Sequence, residues 1–522
     1  MMDTDCDILI IGSGNAGFSA AISAAQSSKS LSILLIDACP QDWAGGNTYF
    51  TAGAFRTTHA GLSDLLPLVN NVSSSSAQID LDPYTAQHFS DDLKRVTDGR
   101  SDPDLGSVLV NDSRETVQWL KEDVGVRFQL SFNRQAYRDE SGRWKFWGGL
   151  CLKTENGGKG LVEDHMAAAD KYGISVQFDT KAKEVVWNAS TGVVTGVLVE
   201  RGGKEETINC RAVILAAGGF EANPELRKEW LGPGWQNAHV RGTPFNTGTL
   251  FTNTLTSLKA KATGDFSPTG CHSVAWDANS PPDSGNRTVS NEYTKSGYPL
   301  GIMLNKNGNR FVDEGVDFRN YTYAKFGRAI LQQPDGVAFQ IFDGKGAGLL
   351  REEEYREEVV ERITASSIVE LAHRCTEKGL ADDEQFVKTV EEYNTAVSHH
   401  RRQNRDLHFD PAVRDGLSTQ SPTHSLDLPK SNWALSIDEP PFLALKVTCG
   451  ITFTFGGLAV HPETAGVISK ESDKEIEGLY CVGEMMGGLF WGNYPGGSGL
   501  TSGAVFGRRA GKAAASLVLS RR

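Results

Sequence analysis

The 522-residue sequence lacks the cysteine patterns that mark metal centres. Its eight cysteines are scattered, and none shows the paired spacing typical of iron–sulfur, c-type haem or structural zinc sites. We therefore expect no metal site, and thiols that are reduced as in the cytosol. The cysteines are Cys6, Cys39, Cys151, Cys210, Cys271, Cys375, Cys449 and Cys481.

An excess of positive charge and long apolar runs are also missing. The chain has 52 Lys and Arg against 65 Asp and Glu, a net charge of -13, which argues against nucleic acid as a partner. No apolar stretch approaches the roughly 18 to 20 residues that span a bilayer. No basic segment precedes the first apolar run, as it would in a signal peptide. We expect a cytoplasmic protein with no transmembrane segment and no internal repeat.

What the sequence does contain is a strand–turn–helix–strand pattern near its start. Residues 7–11 form a short apolar run, residues 12–17 read Gly-Ser-Gly-Asn-Ala-Gly, and a helix rich in small residues follows. A second apolar strand at 32–36 closes on Asp37, about 20 residues after the last glycine. This βαβ pattern predicts a dinucleotide site, with phosphates at the helix N-terminus and Asp37 on a ribose. The motif alone does not separate NAD from FAD.

Other segments give the organisation of the rest of the chain. Alternating residues at 193–199 and 205–209 predict a β-meander, and 212–217 predict a buried strand that ends in a glycine turn. The charge-rich segment 351–402 has a helical period and is predicted to be mostly solvated surface.

Four separated segments together resemble one family. They are residues 12–17, the Gly-Gly-Asn-Thr at 45–48, the Ala-Ala-Gly-Gly-Phe at 216–220 and the Tyr-Cys-Val-Gly-Glu at 480–484. This set is similar to the FAD-binding core of the fumarate reductase and succinate dehydrogenase flavoprotein superfamily. The resemblance implies FAD rather than NAD.

Three further segments resemble one branch of that superfamily. Residues 308–323, 453–458 and 493–497 look like the branch represented by tricarballylate dehydrogenase and the flavoprotein half of a precorrin-3B synthase. The resemblance implies an α/β, Rossmann-like FAD-binding domain of the fumarate reductase flavoprotein type, with an inserted α+β capping domain. We expect residues 1–272 and 448–522 to form the FAD-binding domain, and residues 273–447 the capping or substrate domain.

The resemblance also implies which residues bind FAD. Covalent members carry a histidine near the Gly-Gly-Asn segment, whereas residues 48–50 are Thr-Tyr-Phe, so we expect FAD to be non-covalent. In this family the last strand ends in an acid that binds the flavin side chain, here Glu484. The helix opened by residues 498–502 is expected to face the flavin pyrimidine edge. The implied cofactor residues are Gly12, Gly14, Asn15, Ala16, Gly17, Asp37, Gly45, Gly46, Asn47, Thr48, Ala217, Gly218, Gly219, Gly483, Glu484, Ser498, Gly499, Leu500 and Thr501.

Arg319 is the residue that the resemblance implies for proton transfer. The family interconverts a C–C single and double bond, and in fumarate reductases an arginine that follows an Arg-Phe-x-x-Glu motif carries the proton; Arg319 stands there. Arginine has a pKa above about 12, so it serves only where the site desolvates it and supplies cations or a relay. Two alternatives stay open: Arg319 anchors a substrate carboxylate, or forms an ordinary salt bridge.

The resemblance also implies roles for residues around Arg319. His272 falls where fumarate reductases place a substrate-binding histidine, with a structural histidine as the alternative. The usual proton relay, a glutamate and an arginine upstream, has no clear match in 291–306. Candidates for it are Tyr293, Lys295 and Tyr298, and Tyr321 and Tyr323 either line the substrate site or pack.

Two departures from the fumarate reductases bear on the substrate. Phe453 replaces a histidine, and Tyr494 replaces an arginine that clamps a carboxylate. We expect Phe453 and Thr454 to bind the substrate. Exchanging carboxylate partners for aromatics costs binding energy for that anion, so we expect a larger or less anionic substrate than succinate. A Tyr-Pro-Gly at this place also resembles 3-ketosteroid Δ1-dehydrogenases, where a tyrosine polarises a ketone. The alternative is that these aromatic side chains are core.

The predicted function is desaturation of a carboxylate- or carbonyl-bearing substrate, with hydride transfer to flavin N5 and proton abstraction by Arg319. An ene-reductase of an α,β-unsaturated acid or ketone uses the same residues in reverse. A third possibility is a flavoprotein subunit that depends on a partner. Because the chain has no haem or iron–sulfur motif, we expect an external electron acceptor: oxygen, a quinone or a redox protein.

Overall fold

The computed structural model describes residues 5–72, 78–132, 135–139, 141–188, 190–283, 286–411 and 413–521, without the side chains of residues 290, 320 and 323. The chain divides into two units. Unit 1 comprises Met1–Leu231, Thr243–Cys271 and Phe453–Arg522. Unit 2 comprises Gly232–Gly242 and His272–Thr452.

The helices and strands are numbered in chain order. The helices are α1 (Asn15–Ser27), α2 (Gly46–Tyr49), α3 (Leu62–Leu65), α4 (Ala86–Val96), α5 (Pro103–Trp119), α6 (Gly157–Lys171), α7 (Pro224–Leu231), α8 (Thr249–Ser257), α9 (Arg319–Leu331), α10 (Gly344–Ala347), α11 (Glu352–Tyr355), α12 (Ile368–Thr376), α13 (Asp383–Gln403) and α14 (Ser498–Ser520). The strands are β1 (Ile8–Ile11), β2 (Ile33–Ile36), β3 (Ala54–Phe55), β4 (Ile79–Leu81), β5 (Phe128–Leu130), β6 (Ala136–Arg138), β7 (Trp144–Phe146), β8 (Leu152–Thr154), β9 (Ser175–Gln177), β10 (Lys181–Asn188), β11 (Val193–Arg201), β12 (Lys204–Asn209), β13 (Ala212–Leu215), β14 (His239–Val240), β15 (Ala262–Thr263), β16 (Cys271–Asp277), β17 (Ile302–Asn305), β18 (Ala338–Phe342), β19 (Ile363–Ala365), β20 (Gln420–Ser421), β21 (His424–Ser425), β22 (Phe442–Thr454), β23 (Gly457–Leu458), β24 (Gly466–Ile468) and β25 (Glu475–Cys481).

Unit 1 is built on a six-stranded sheet in the order β24-β25-β13-β1-β2-β9. All pairs are parallel except β24 with β25. Every residue of β1, β2 and β13 is buried, as expected for parallel strands covered on both faces. Because these strands are parallel, the turns that follow their carboxyl ends lie along one edge of the sheet, where α/β folds bind ligands.

The predicted β-meander is also present in unit 1. Strands β10, β11 and β12 form an antiparallel three-stranded sheet. The pattern at residues 193–199 and 205–209 is therefore confirmed as strands β11 and β12.

Helices α1 and α14 pack backbone against backbone within unit 1. A Cβ built on Gly507 would lie 2.6 Å from the carbonyl oxygen of Ala16, and one on Gly511 would lie 2.3 Å from that of Ala20. Both distances are too short for a side chain, so glycine at these two positions sets how closely the helices approach. This contact joins the start of the chain to its last helix.

Unit 2 is a second sheet with helices packed against both faces. Its strands run β14-β22-β18-β17, and β16 and β19 also pair with β22. One face of β17 and β18 packs with α12 and α13 in an apolar cluster that includes Leu304, Phe339 and Phe386. The opposite face packs against α9, with Met303 and Phe326 in contact. Arg319 is the first residue of α9, so this packing places it.

The charge-rich segment at 351–402 forms α11, α12 and α13, as its helical period predicts. Not all of this segment lies at the surface, because Glu354 and Tyr355 are buried. Among the described residues no helix combines the length and the apolar character needed to cross a membrane.

The glycine contact between α14 and α1 can be tested with Gly511→Ala. Glycine to alanine inside a helix usually stabilises by about 1 kcal/mol. Here we expect a loss of about 1–3 kcal/mol, because the new methyl group meets the Ala20 carbonyl. Urea unfolding measures the change, and Ser516→Ala on the exposed side of α14 is the control. A Gly511→Ala protein as stable as the wild type would contradict the packing argument.

Candidate active site

The turn between β1 and α1 allows only glycine at two of its positions. Gly12 has a φ of 114°, and a Cβ there would lie 2.2 Å from the carbonyl oxygen of Ala216, at the end of β13. A Cβ on Gly17 would lie 2.0 Å from the carbonyl oxygen of Gly12. The first glycine therefore permits the turn, and the third lets α1 lie against it.

The middle glycine leaves space at the start of α1. The nearest neighbour of a Cβ built on Gly14 is Thr48 Oγ1, at 3.6 Å, so a ligand can approach the backbone here. Gly14 is the N-cap of α1 and provides no side-chain cap. The backbone N–H of Asn15 donates to Thr48 Oγ1 at 2.9 Å. The N–H groups of Ala16 and Gly17 belong to the first turn, where a helix offers no carbonyl partner and binds anions.

Asp37 holds this turn in place. Its Oδ2 accepts hydrogen bonds from the backbone N–H of Ser13 at 2.7 Å and from Ser13 Oγ at 2.6 Å. Its Oδ1 accepts from the N–H of Cys39 at 3.0 Å. Ser13 Oγ in turn accepts from the N–H of Gly45 at 2.9 Å. Asp37 thus links β2 to both glycine segments, and its bond to a ribose stays a prediction.

The second glycine segment begins α2. Gly45 is its N-cap in the left-handed region, with a φ of 104°, and a Cβ on Gly46 would meet nothing within 4 Å. Asn47 connects this segment to two others: its Oδ1 accepts from the N–H of Thr243 at 2.9 Å, and its Nδ2 donates to Glu221 Oε1 at 2.6 Å.

Two carboxylates, Glu221 and Glu484, converge on the turn after β13. A Cβ on Gly219 would lie 2.1 Å from Glu484 Oε1 and 2.8 Å from Glu221 Oε2. Glu484 Oε1 accepts from the N–H of Thr454 at 2.8 Å and from its Oγ1 at 3.2 Å. Glu221 Oε1 accepts from Nδ2 of Asn246 at 2.5 Å, in addition to Asn47. Glu221 is fully buried.

The two acids lie together in a buried place and both have raised pKa values, so we expect them to share a proton. Burial, followed by the charge of Glu221, raises the pKa of Glu484 well above its ordinary range. Burial also raises the pKa of Glu221, against the hydrogen bonds that it accepts. Two carboxylates this close cannot both ionise cheaply in a buried place. We therefore expect one carboxylic acid beside one carboxylate, a pair that both donates to and accepts from a hydroxyl-bearing ligand.

Hydrogen bonds of side chains hold the start of α14 at the carboxyl edge of the parallel sheet. Gly497, with a φ of 83°, is the N-cap. Ser498 Oγ donates to the carbonyl of Pro495 at 2.6 Å, and Thr501 Oγ1 donates to that of Arg56 at 2.7 Å. Asn15 Nδ2 donates to the carbonyl of Leu500 at 2.8 Å, which joins α14 to the first turn of α1. These hydroxyls fix the helix, and the first-turn N–H groups of Gly499 and Leu500 are the ones suited to a ligand.

An aromatic cluster in unit 1 lies beside the start of α14. The ring of Tyr494 lies 4.9 Å from that of Phe453 and 5.6 Å from that of Phe490, and Phe453 lies 5.0 Å from Phe455. A Cβ on Gly499 would lie 3.8 Å from Tyr494 Cε2. Phe455 and Phe490 are buried, whereas Phe453 and Tyr494 are only partly so. The two residues predicted to replace polar anchors are thus in mutual contact.

Unit 2 contains Arg319 and His272. Arg319 Nη1 donates to Ser296 Oγ at 2.9 Å, and Ser296 Oγ donates to Glu354 Oε2. His272 lies in β16 and is buried. Burial, with the charges of Arg241 and Arg328, lowers the pKa of His272 to about 3. Its imidazole is therefore neutral at pH 7 and serves only as a hydrogen-bonding group.

The other predicted residues of unit 2 take part in separate local contacts. Tyr321 lies in the first turn of α9 and is partly buried, and the side chain of Tyr323 lies outside the described residues. Lys295 Nζ donates to the carbonyl of Glu292 at 2.6 Å, and burial lowers its pKa to about 8. The hydroxyl of Tyr298 lies 3.4 Å from Thr322 Oγ1, and the ring of Tyr293 lies 5.6 Å from that of Trp276.

Three residues at these sites were not predicted. Glu221 directly follows the glycine turn after a buried strand, and an acid at the carboxyl end of a parallel strand is a signal that could have found it. Ser296 and Glu354 carry no comparable local signal, because their link to Arg319 arises only from tertiary packing.

A parallel sheet with a glycine turn, an acid after its second strand and an uncapped helix start defines a dinucleotide-binding fold. The model of the family described as FAD binding domain matches residues 7–500, and the chain belongs to this family. The predicted superfamily, the fold class and FAD as the cofactor are thereby confirmed. The tricarballylate dehydrogenase-like branch stays a prediction.

Relatives and solved structures agree with this membership. A probable fumarate reductase of Shewanella frigidimarina is 27% identical over 521 residues, 98% of this chain and 75% of that protein. The urocanate reductase of Eggerthella lenta is 26% identical over 551 residues, 99% of this chain and 75% of that protein. The 3-ketosteroid Δ1-dehydrogenase structure from Sterolibacterium denitrificans has a TM-score of 0.73 and 19% identity, covering 98% of this chain and 100% of that one. This last likeness concerns the fold.

The shared proton of Glu221 and Glu484 predicts a pH dependence. Both acids have pKa values raised above the ordinary 4.5, so their contribution to folding stability falls as the pH rises above about 5. Glu221→Gln removes the charge that helps to raise the pKa of Glu484 and keeps the bonds from Asn47 and Asn246. We expect its stability to decline less over this range, by up to about 1.4 kcal/mol per pH unit.

Thermal unfolding of FAD-saturated protein at pH 5, 6, 7 and 8 measures this dependence. Glu225→Gln, at an exposed position of α7, is the matched control and should follow the wild type. Parallel pH profiles of the wild type and Glu221→Gln would show that the two acids do not share a proton.

Proposed function

We propose that this protein is an FAD-dependent oxidoreductase that acts on a C–C bond next to a carboxylate or carbonyl group. Its family and its relatives, a probable fumarate reductase and a urocanate reductase, support the flavin and the CH–CH chemistry. Desaturation is the direction we favour, and an ene-reductase is the same reaction reversed. The observation that carries the assignment of the proton-transfer residue is the hydrogen-bonded position of Arg319 at the start of α9.

Each part of the chain has a role in this proposal. Residues 1–272 and 448–522 bind FAD and residues 273–447 form the capping domain. The first-turn N–H groups of α1 suit the pyrophosphate, and Gly14 leaves it room. The Glu221–Glu484 pair suits the hydroxyls of the flavin side chain, since it both donates and accepts. The chemistry that FAD supplies when bound is hydride exchange with one carbon of the substrate.

Arg319 exchanges the proton with the neighbouring carbon. A neutral guanidine is needed to accept that proton, and arginine becomes neutral only in a desolvated site with an acceptor for its own proton. Ser296 and Glu354 supply such an acceptor, because they form a hydrogen-bonded path from Nη1 to a carboxylate. His272, neutral at pH 7, orients the substrate through a hydrogen bond.

The aromatic cluster of Phe453, Phe455, Phe490 and Tyr494 supports a substrate with an apolar body. In this cluster edge-to-face rings replace the polar partners that a compact dicarboxylate needs. Tyr494 adds a hydroxyl that can polarise a carbonyl. We infer an aryl- or ring-bearing acid or ketone as the substrate class.

For the electron acceptor we propose a class of compound or protein and not one particular molecule. The cysteines have no haem or iron–sulfur spacing, which supports oxygen, a quinone or a separate redox protein as the external acceptor. The unpaired spacing of the cysteines also supports a cytoplasmic location for the protein.

The role of Arg319 is tested by Arg319→Ala and Arg319→Lys. We expect both to lower kcat at least about 10²-fold with FAD still bound, because proton transfer is lost. Steady-state assays with a dye acceptor and the flavin absorbance of the purified protein measure the two properties. Arg362→Ala, at an exposed position of unit 2, should keep wild-type turnover. Wild-type turnover by Arg319→Ala would refute the assignment.

The substrate class is tested by anaerobic bleaching of the flavin with 3-phenylpropionate, cyclohexanecarboxylate, cyclohexanone and succinate. We expect a ring-bearing compound to bleach the flavin and succinate not to. Phe453→Ala should lower kcat/KM for the ring-bearing substrate about 10- to 100-fold, and Phe453→Leu should lower it less, because leucine retains apolar contact. Faster bleaching by succinate than by every ring compound would contradict the proposed class.

A further inference from the structure

A line of hydrogen bonds leads from Arg319 to the surface of unit 2. Arg319 Nη1 donates to Ser296 Oγ at 2.9 Å, and Ser296 Oγ donates to Glu354 Oε2. The backbone N–H of Ser296 donates to the same oxygen at 3.0 Å. Arg351 Nη1 donates to the other carboxylate oxygen, Glu354 Oε1, at 3.3 Å. Four side chains from three separate segments of the sequence are thus joined end to end.

The two middle residues of this line are its most buried ones. Ser296 and Glu354 are each only 6% exposed, whereas the side chain of Arg351 is 27% exposed. A carboxylate this buried needs partners to stay ionised. Burial pushes the pKa of Glu354 up, and the charges of Arg319 and Arg351 together with the bonds from Ser296 outweigh it, so the pKa is lowered. Glu354 is therefore a charged proton acceptor in the interior.

Neighbouring titratable groups are engaged elsewhere. The hydroxyl of Tyr355 accepts from the N–H of Gly297 at 2.7 Å and donates to Gln340 Oε1 at 2.8 Å. The ammonium of Lys295 donates to the carbonyl of Glu292 and lies 5.7 Å from the ring centroid of Tyr355. Asp277 and Glu292 contribute charge near Lys295. The hydrogen bonds from Arg319 run through Ser296 to Glu354 and do not involve Tyr355 or Lys295.

We propose that Ser296 and Glu354 form the proton path that returns Arg319 to its neutral state, with the exit at Arg351. This inference rests on the proposed function, in which Arg319 takes a proton from the substrate. The two residues act through Arg319 and do not touch the substrate. They occupy the role for which the sequence suggested Tyr293, Lys295 and Tyr298.

The step balances in protons and charge. Protonated Arg319 passes one Nη1 proton to Ser296 Oγ while Ser296 passes its hydroxyl proton to Glu354 Oε2. Arg319 becomes neutral, Ser296 is unchanged, and Glu354 becomes a neutral carboxylic acid. Glu354 then gives its proton to water that reaches the partly exposed side chain of Arg351, and the carboxylate is restored. In the direction of reduction the same protons move the other way.

The test uses the FAD-loaded full chain and the ring compound that bleaches the flavin fastest. Glu354→Gln and Ser296→Ala should each lower kcat at least about 10²-fold and raise the solvent deuterium isotope effect on kcat, because proton transfer becomes limiting. KM should change little. Formate at high concentration should restore part of the turnover of Glu354→Ala by replacing the missing carboxylate. Glu352→Gln, at an exposed position of the same helix, is the control and should behave as the wild type.

A merely structural role of Glu354 predicts other results. Lost turnover with no rise in the isotope effect and no rescue by formate would overturn the path, as would wild-type kcat in Glu354→Gln and Ser296→Ala. The variant Arg319→Ala distinguishes failure of the proton path from failure of the proposed function. If Arg319→Ala is inactive while Glu354→Gln and Ser296→Ala are not impaired, only the path is wrong. If Arg319→Ala is fully active, the proposed role of Arg319 fails, and the path fails with it.

Discussion

The close approach of backbone at the carboxyl edge of the parallel sheet is the constraint on which the rest of unit 1 depends. Gly12 and Gly17 leave no room for a side chain, since each Cβ would overlap a carbonyl oxygen. The lack of side chains there lets α1 lie close to the sheet. Gly507 and Gly511 let α14 lie close to α1 in the same way. The first turns of α1 and α14 are then joined by Asn15, so residues from both ends of the sequence build one surface.

In both units, the pKa values and contacts of the buried acidic side chains depend on the groups that surround them. In unit 1, Asp37 accepts hydrogen bonds from the glycine turns. Burial raises the pKa values of Glu221 and Glu484, and the charge of Glu221 adds to the rise at Glu484. In unit 2, Glu354 stays ionised because two arginines and Ser296 surround it. The difference follows from the partners: two acids together hold a proton, and an acid between cations releases one. The first arrangement suits binding of hydroxyls, and the second suits proton movement.

Much of unit 1 could be predicted because its signals are local. The spacing of Gly12, Gly14, Gly17 and Asp37 fixes a strand, a turn and a helix with few alternatives. Glu354 could not be found in this way, because it lies in a charge-rich segment that resembles solvated surface, and only the fold brings Ser296 and Arg319 to it. Glu221 was missed for a similar reason: its partner Glu484 is distant in sequence, and neither residue alone indicates a shared proton.

The central claim is that this chain adds or removes two hydrogens across a C–C bond of a ring-bearing acid or ketone. Mass spectrometry of the product formed during anaerobic reduction of the bound flavin tests it most directly. The account predicts a product two hydrogens lighter than the substrate, or two heavier when the reduced protein is mixed with the unsaturated compound. A product that has gained an oxygen atom, or an unchanged C–C bond in a compound that bleaches the flavin, would contradict it.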